Sequence, residues 1–149
     1  MAESVLTKHI AARPEQAFAE LSDGWGYSAW VVGAAHVRAV DPGWPEPGSR
    51  IHHSIGPWPL VLRDTTAVQE LSAGRRLVLR ARMWPAGEAV VEFDLVPAGD
   101  GVDLTMTETV VSGPLRLLGP LAGAGLHVRN VETLARLAAR IERPQRPAE

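Results

Sequence analysis

Between Gly87 and Ser112 apolar and polar residues alternate with the period of a pleated strand, and they do so on both sides of a tight turn. Val91, Phe93 and Leu95 are spaced by Glu92 and Asp94; a Gly99-Asp100 pair follows, and the alternation resumes from Val102 to Val111. Two such runs around a turn that begins with glycine define an antiparallel hairpin with one buried face. A one-residue slip would turn the whole apolar set outward, so parity sets the register. Leu104 then faces Leu95, Met106 faces Phe93 and Glu108 faces Val91. One position on the buried face is therefore a carboxylate, and an inward-facing acid suggests a cavity.

The preceding hairpin follows the same parity. Centred on Gly87, it places Met83 opposite Val91, Ala81 opposite Phe93 and Leu79 opposite Leu95. Arg82 then faces Glu92 and Arg80 faces Asp94 on the solvent side, as cross-strand partners contributing about a few tenths of a kcal/mol each.

Upstream, Val5 to Ile10 is a short strand. Pro14 opens a helix whose apolar stripe is Ala17, Phe18 and Leu21, ended by Ser22-Asp23-Gly24. A second short helix is predicted from Trp25 to Val32, then strands over 36–41, 50–55, 60–71, 75–84, 89–97 and 102–112. A broken apolar segment with Gly119-Pro120 and Gly123-Ala124-Gly125 leads into a last helix from Leu126 to Glu142. On that helix Leu126, Asn130, Leu134, Leu137 and Ile141 share one face. The expected organisation is one domain over 1–142 with a disordered tail, 143–149, that has nothing to bury.

Composition removes several function classes. The net charge of −2 gives no electrostatic reason to expect nucleic acid or an anionic membrane surface. No stretch approaches the roughly 18 apolar residues of a membrane span, and Met1 to Ile10 lacks a signal-peptide pattern, so a cytoplasmic protein without stable membrane insertion is expected. The chain has no cysteine, which removes disulfides, thiolate metal sites and thiol catalysis. Five scattered histidines include no ligand-spaced pair, and the glycines match no phosphate or dinucleotide loop. No metal or cofactor is expected. Fourteen of the fifteen basic residues are arginine, which reflects GC-rich, bacterial codon usage rather than guanidinium chemistry. Nothing in the pattern sets an oligomeric state.

The order strand, two short helices, six-strand meander and long helix is that of an α+β helix-grip fold. The run Ile10-Ala-Ala-Arg-Pro-Glu-Gln-Ala-Phe18, followed by Leu21, Asp23, Tyr27 and Trp30, resembles the superfamily of START-related lipid-transfer domains, pathogenesis-related allergens and polyketide cyclases. Pro47-Gly48-Ser49 and Arg129-Asn130 resemble its polyketide cyclase/dehydrase branch. The resemblance covers nearly the whole chain. It implies a curved antiparallel sheet of about seven strands gripping the C-terminal helix around a cavity for an apolar ligand.

Glu108 is the sharpest candidate for chemistry, because an acid desolvated without a compensating charge holds its proton toward neutral pH and can serve as general acid or base. The alternative is a structural ion pair. His53 shares the inward phase of Ile51 and Ile55 and is its candidate proton partner, while His52 points the other way. Asn130, the only asparagine, interrupts the apolar face of the last helix and bonds either a ligand or the fold itself. His127 and Arg129 flank that face, either bordering the cavity or lying in solvent. In a meander alternate turns share an end, so Trp58 and Trp84 are candidate portal residues, or else cover core edges, and Trp44 belongs at the opposite end. Trp30, Met83, Val91, Phe93 and Met106 complete the candidate ligand-binding set.

Three functions follow. The leading one is noncovalent binding of a small hydrophobic or amphipathic molecule, such as a lipid, polyketide or quinone. The rival is a cyclase or dehydratase in which Glu108 and His53 move protons. The third is an interaction module whose cavity is filled by residues such as Phe93, Met83 and Met106.

Overall fold

The computed structural model describes residues 2–32, 34–55, 62–83 and 87–143. Strand β1 (Glu3–Ile10) leads into helix α1 (Pro14–Leu21), a 3-10 turn (Gly24–Gly26) and the single-turn helix α2 (Tyr27–Trp30). The meander follows as β2 (Ala34–Val40), β3 (Arg50–Ile55), β4 (Leu62–Ser72), β5 (Arg76–Met83), β6 (Gly87–Ala98) and β7 (Gly101–Ser112). A second 3-10 turn (Pro114–Leu118) precedes the long helix α3 (Pro120–Ile141). The seven strands form one antiparallel sheet in the order β1-β7-β6-β5-β4-β3-β2. The curved sheet grips α3, and α3 packs chiefly on β1.

The β6–β7 register is the one parity required: Leu95 opposite Leu104, Phe93 opposite Met106 and Val91 opposite Glu108. The β5–β6 register differs. Val91 lies opposite Leu79 and Phe93 opposite Leu77, a displacement of four residues from the expected pairing. Gly87 is the cause, because it does not centre the turn but pairs with Met83 as the first residue of β6. A Cβ there would stand 1.9 Å from the Ser112 carbonyl oxygen, and Gly87 has φ of 135°, so this glycine serves a close backbone approach. The displacement is even, so each side chain keeps its face. The arginine partners move with it: Arg76 holds Asp94 and Glu92 at 2.7 and 2.6 Å, and Arg80 holds Glu88 at 2.6 Å.

Helix α3 begins at Pro120, six residues before the predicted start. Gly119, with φ of 47°, precedes a proline at the first helical position, a strong start signal that outweighs the cost of about 1 kcal/mol for each interior glycine. The predicted face is buried: Leu126, Asn130, Leu134, Leu137 and Ile141 all leave water. Leu134 and Leu137 join Trp30, Phe93, Ile51 and Leu104 in the main core, where each buried leucine contributes about 1.5 to 3 kcal/mol. At the C-terminus of α1, Trp44 donates its indole N–H to the Ser22 carbonyl at 2.8 Å, closing one end of the fold. The predicted tail falls almost wholly outside the described residues.

Edge strand β2 is irregular. Its register to β3 shifts between Ala34 and His36 and again between Val37 and Ala39, so Ala35 and Arg38 are the extra residues of two bulges.

Candidate functional site

The sheet, α2 and α3 enclose a cavity of about 160 Å³. Its apolar surface comes from Val91 and Phe93 on β6, Met106 on β7, Trp30 and Val31 at α2, and Leu126 on α3. Aromatic packing stiffens one side: Trp30 meets Phe93 edge-on with ring centroids 5.9 Å apart, and Tyr27 meets Trp30 at 5.4 Å. Of the ligand-binding candidates read from the sequence, Trp30, Val91, Phe93 and Met106 line this space. Trp58 and Trp84 lie outside the described residues, as does the side chain of Met83.

Two polar groups line the same cavity beside the apolar surface. The first is built on Glu108, which parity turns inward and which is only 2% exposed. Arg129 Nη1 donates to its Oε1 at 3.1 Å, with Oε2 at 3.4 Å, and Asn130 Nδ2 donates to Oε1 at 3.0 Å. Arg129 Nε also donates to the Val32 carbonyl at 2.8 Å, tying α3 to the segment after α2. The expectation of an acid without a compensating charge is thus overturned, since the cation is supplied one turn along the helix from Leu126. Asn130 does not line the cavity; it stands behind Glu108 and orients it. His127, the other residue flanking the helix face, bonds the Ser4 hydroxyl at 3.1 Å.

The second wall is His53 with Thr66, Tyr27 and Trp30. His53 Nε2 and Thr66 Oγ1 share a hydrogen bond of 2.8 Å, and the Tyr27 ring stacks on the imidazole at 6.0 Å. Burial pushes His53 below the ordinary histidine range; Asp64 opposes that shift and Arg38 adds to it. Burial likewise raises the Tyr27 phenol, against a hydrogen bond from Thr66. Polar capacity is left over on both walls: among the described residues the Trp30 Nε1 donor here and Asn130 Oδ1 beside Glu108 are buried without a hydrogen-bond partner. His52 points away and bonds Asp41 at 2.9 Å.

His53 and Glu108 therefore line one cavity but share no direct hydrogen bond among the described residues. Sequence reasoning missed Thr66 and Tyr27 as wall residues and left Arg129 open between the cavity border and solvent; it lies on the cavity border. Thr66 shares the inward phase of Val68, which parity along β4 reveals, whereas Arg129 needs the rotation of α3 about its axis.

A curved antiparallel sheet gripping a long C-terminal helix around an enclosed hollow defines the helix-grip class. A family described as "Polyketide cyclase / dehydrase and lipid transport" matches residues 1–142, and the chain belongs to that family. Among curated proteins no relative is matched. Among solved structures, protein CV1439 from Chromobacterium violaceum is similar with a TM-score of 0.76 and 18% identity, over 97% of this chain and all of that one. The di-domain ARO/CYC StfQ from the steffimycin biosynthetic pathway is similar with a TM-score of 0.72 and 14% identity, over 95% of this chain and 50% of that one. Ara h 8.0201 is similar with a TM-score of 0.72 and 9% identity, over 93% and 96% of the two chains. At these identities the likeness is one of fold. No helix among the described residues is long and apolar enough to cross a membrane.

Proposed function

We propose that the chain, as a single domain over 1–142, binds a small hydrophobic or amphipathic molecule noncovalently in its cavity. The observation that carries this reading is the pairing of an apolar hollow with a buried donor on its wall, Trp30 Nε1, that has no hydrogen-bond partner among the described residues. A cavity of about 160 Å³ accepts one aromatic ring or a short chain, close in size to an engineered cavity of about 150 Å³ that binds benzene. Leaving a buried donor unpaired costs about 1 to 3 kcal/mol, which a ligand acceptor at Trp30 Nε1 would offset. A ligand with a ring or chain and one carbonyl, hydroxyl or phenol group meets both demands. The unfilled hollow counts against an interaction module packed solid. Native mass spectrometry of freshly purified protein tests the reading; a co-purifying mass that is lost on denaturation is expected, and titration of small aromatic ketones without saturable binding would sink it.

The second reading, a cyclase or dehydratase, is favoured by the presence of Glu108 and His53 on the same cavity. Glu108 accepts hydrogen bonds from both Arg129 and Asn130, so proton movement would fall first to His53, whose pKa burial lowers. Replacing Glu108 with Gln separates the readings: a binder keeps most of its affinity, while an enzyme relying on this acid loses turnover by roughly a hundredfold or more.

A further inference from the structure

Among the described residues the cavity is polar in places but has its charges matched. Two cations border it, Arg129 and Arg82, and each has a carboxylate of its own. Arg129 lies against Glu108, 3.1 Å from Oε1 and 3.4 Å from Oε2. Arg82 touches the rim from a strand position opposite in phase to the inward Ala81. Its Nε stands 3.5 Å from an Asp64 oxygen, and more than half of its side chain stays in water. His53, held below its ordinary range by burial, is neutral at pH 7, and the Tyr27 phenol, raised by burial, keeps its proton.

Glu108 decides this balance. Its carboxylate is 2% exposed, whereas the guanidinium that it faces is 30% exposed and also donates to the Val32 carbonyl at 2.8 Å. Without the acid, Arg129 would keep that backbone contact and present an unmatched guanidinium to an apolar hollow of about 160 Å³, the composition of a carboxylate receptor. With the acid in place, an entering carboxylate or phosphate gives up its hydration, meets a second negative charge and finds a single neutral donor, the Trp30 indole N–H. We propose that Glu108 is a charge filter: by cancelling Arg129 it makes the cavity select uncharged ligands whose polar end is an acceptor such as a ketone, ester or quinone carbonyl, and reject acids built on the same apolar skeleton. This inference rests on the cavity reading and adds to it a rule of ligand charge and the residue that sets it.

Acetophenone and benzoate test it at pH 7.5, because they share the ring and the carbonyl and differ in a methyl group against an ionised oxygen. In calorimetric titration of the unaltered chain the ketone should bind at least about tenfold more tightly than the acid. Glu108→Gln keeps the volume and releases Arg129, so it should invert that order, with benzoate gaining at least about tenfold over its affinity for the unaltered chain. The gain should shrink with added salt as the Debye length falls from roughly 30 Å at 0.01 M to 3 Å at 1 M, and adding Arg129→Gln should abolish it. The rise in melting temperature given by each compound ranks them in the same way and still reports when a variant is destabilised, since a ligand that binds only the folded state raises the midpoint. Benzoate binding the unaltered chain as tightly as acetophenone would overturn the charge rule and leave the cavity reading standing. No gain for benzoate in Glu108→Gln, or a gain that survives the loss of Arg129, would overturn the role given to Glu108. Binding of neither compound to the unaltered chain would bring down the cavity reading, and the charge rule with it.

Discussion

The two polar walls of the cavity are built from similar materials to opposite effect. Around Glu108 an acid meets a guanidinium and an amide, and both carboxylate oxygens have a donor. Around His53 an imidazole and an indole are buried as deeply, yet among the described residues the indole N–H of Trp30 has no partner. Folding alone favours the first arrangement and opposes the second, because an unpaired buried donor forfeits its hydration. The wall whose charge is paired therefore reads as scaffold, although Asn130 Oδ1 behind Glu108 also lacks a partner among the described residues, and the wall with the unpaired indole donor is the proposed recognition surface.

The largest test of that contrast is Arg129→Ala. It strands Glu108 without its cation and cuts the link to Val32, and a loss of about 3 to 5 kcal/mol in denaturant melts is expected. A loss under about 1 kcal/mol would mean that the scaffold wall does not hold the fold. Next in size is Trp30→Phe, which deletes the unpartnered donor and keeps most of the apolar contact. Stability should change by less than about 1 kcal/mol while affinity for a small aromatic ketone falls about tenfold, a coupling of roughly 1.4 kcal/mol read by titration. If stability fell and affinity held, the two walls would have exchanged roles.

Acidification sharpens the comparison further. Because burial holds His53 below its ordinary value near 6.5, the unfolded chain binds more protons than the folded one in mild acid. The stabilising contribution is therefore present above pH 6.5 and is lost as pH falls through the folded value, with Asp64 limiting the effect and Arg38 enlarging it. Melting temperatures measured from pH 7.5 down to pH 5 should decline, and His53→Gln should flatten part of that decline; an unchanged slope would show that the imidazole is not the titrating group. The smallest effect belongs to the half-buried surface pair Arg80–Glu88, where Arg80→Ala should cost less than about 1 kcal/mol despite its 2.6 Å geometry. A double-mutant cycle showing more would put surface pairs on the same footing as the Glu108 wall.

Legibility in the sequence followed the same divide between local and non-local rules. A two-residue turn with glycine first pinned β6 to β7 residue by residue, and so placed Glu108 inside. Inward phase on β3 did the same for His53. The β5–β6 pairing was displaced because Gly87 is there for its close approach to Ser112, a contact with a residue 25 positions away that no local turn rule contains. Arg129 stayed open between the cavity border and solvent for a related reason: strand parity has two answers, but the angular position of a helical residue against a sheet depends on how the whole helix docks. The unpaired donor on Trp30 could not be read at all, since a missing partner is a property of the assembled interior.

One feature of the sheet bears on its surroundings rather than its contents. Strand β2 is, with β1, one of the two outermost of the seven, so one of its sides has no neighbour within the sheet. An even row of amides and carbonyls along such a border would invite an eighth strand from another molecule. Two extra residues within the seven of β2 break that row into short, misaligned pieces. The border is thus guarded by spacing: an incoming straight strand can match only a few of its groups at once, and the sheet stops growing there.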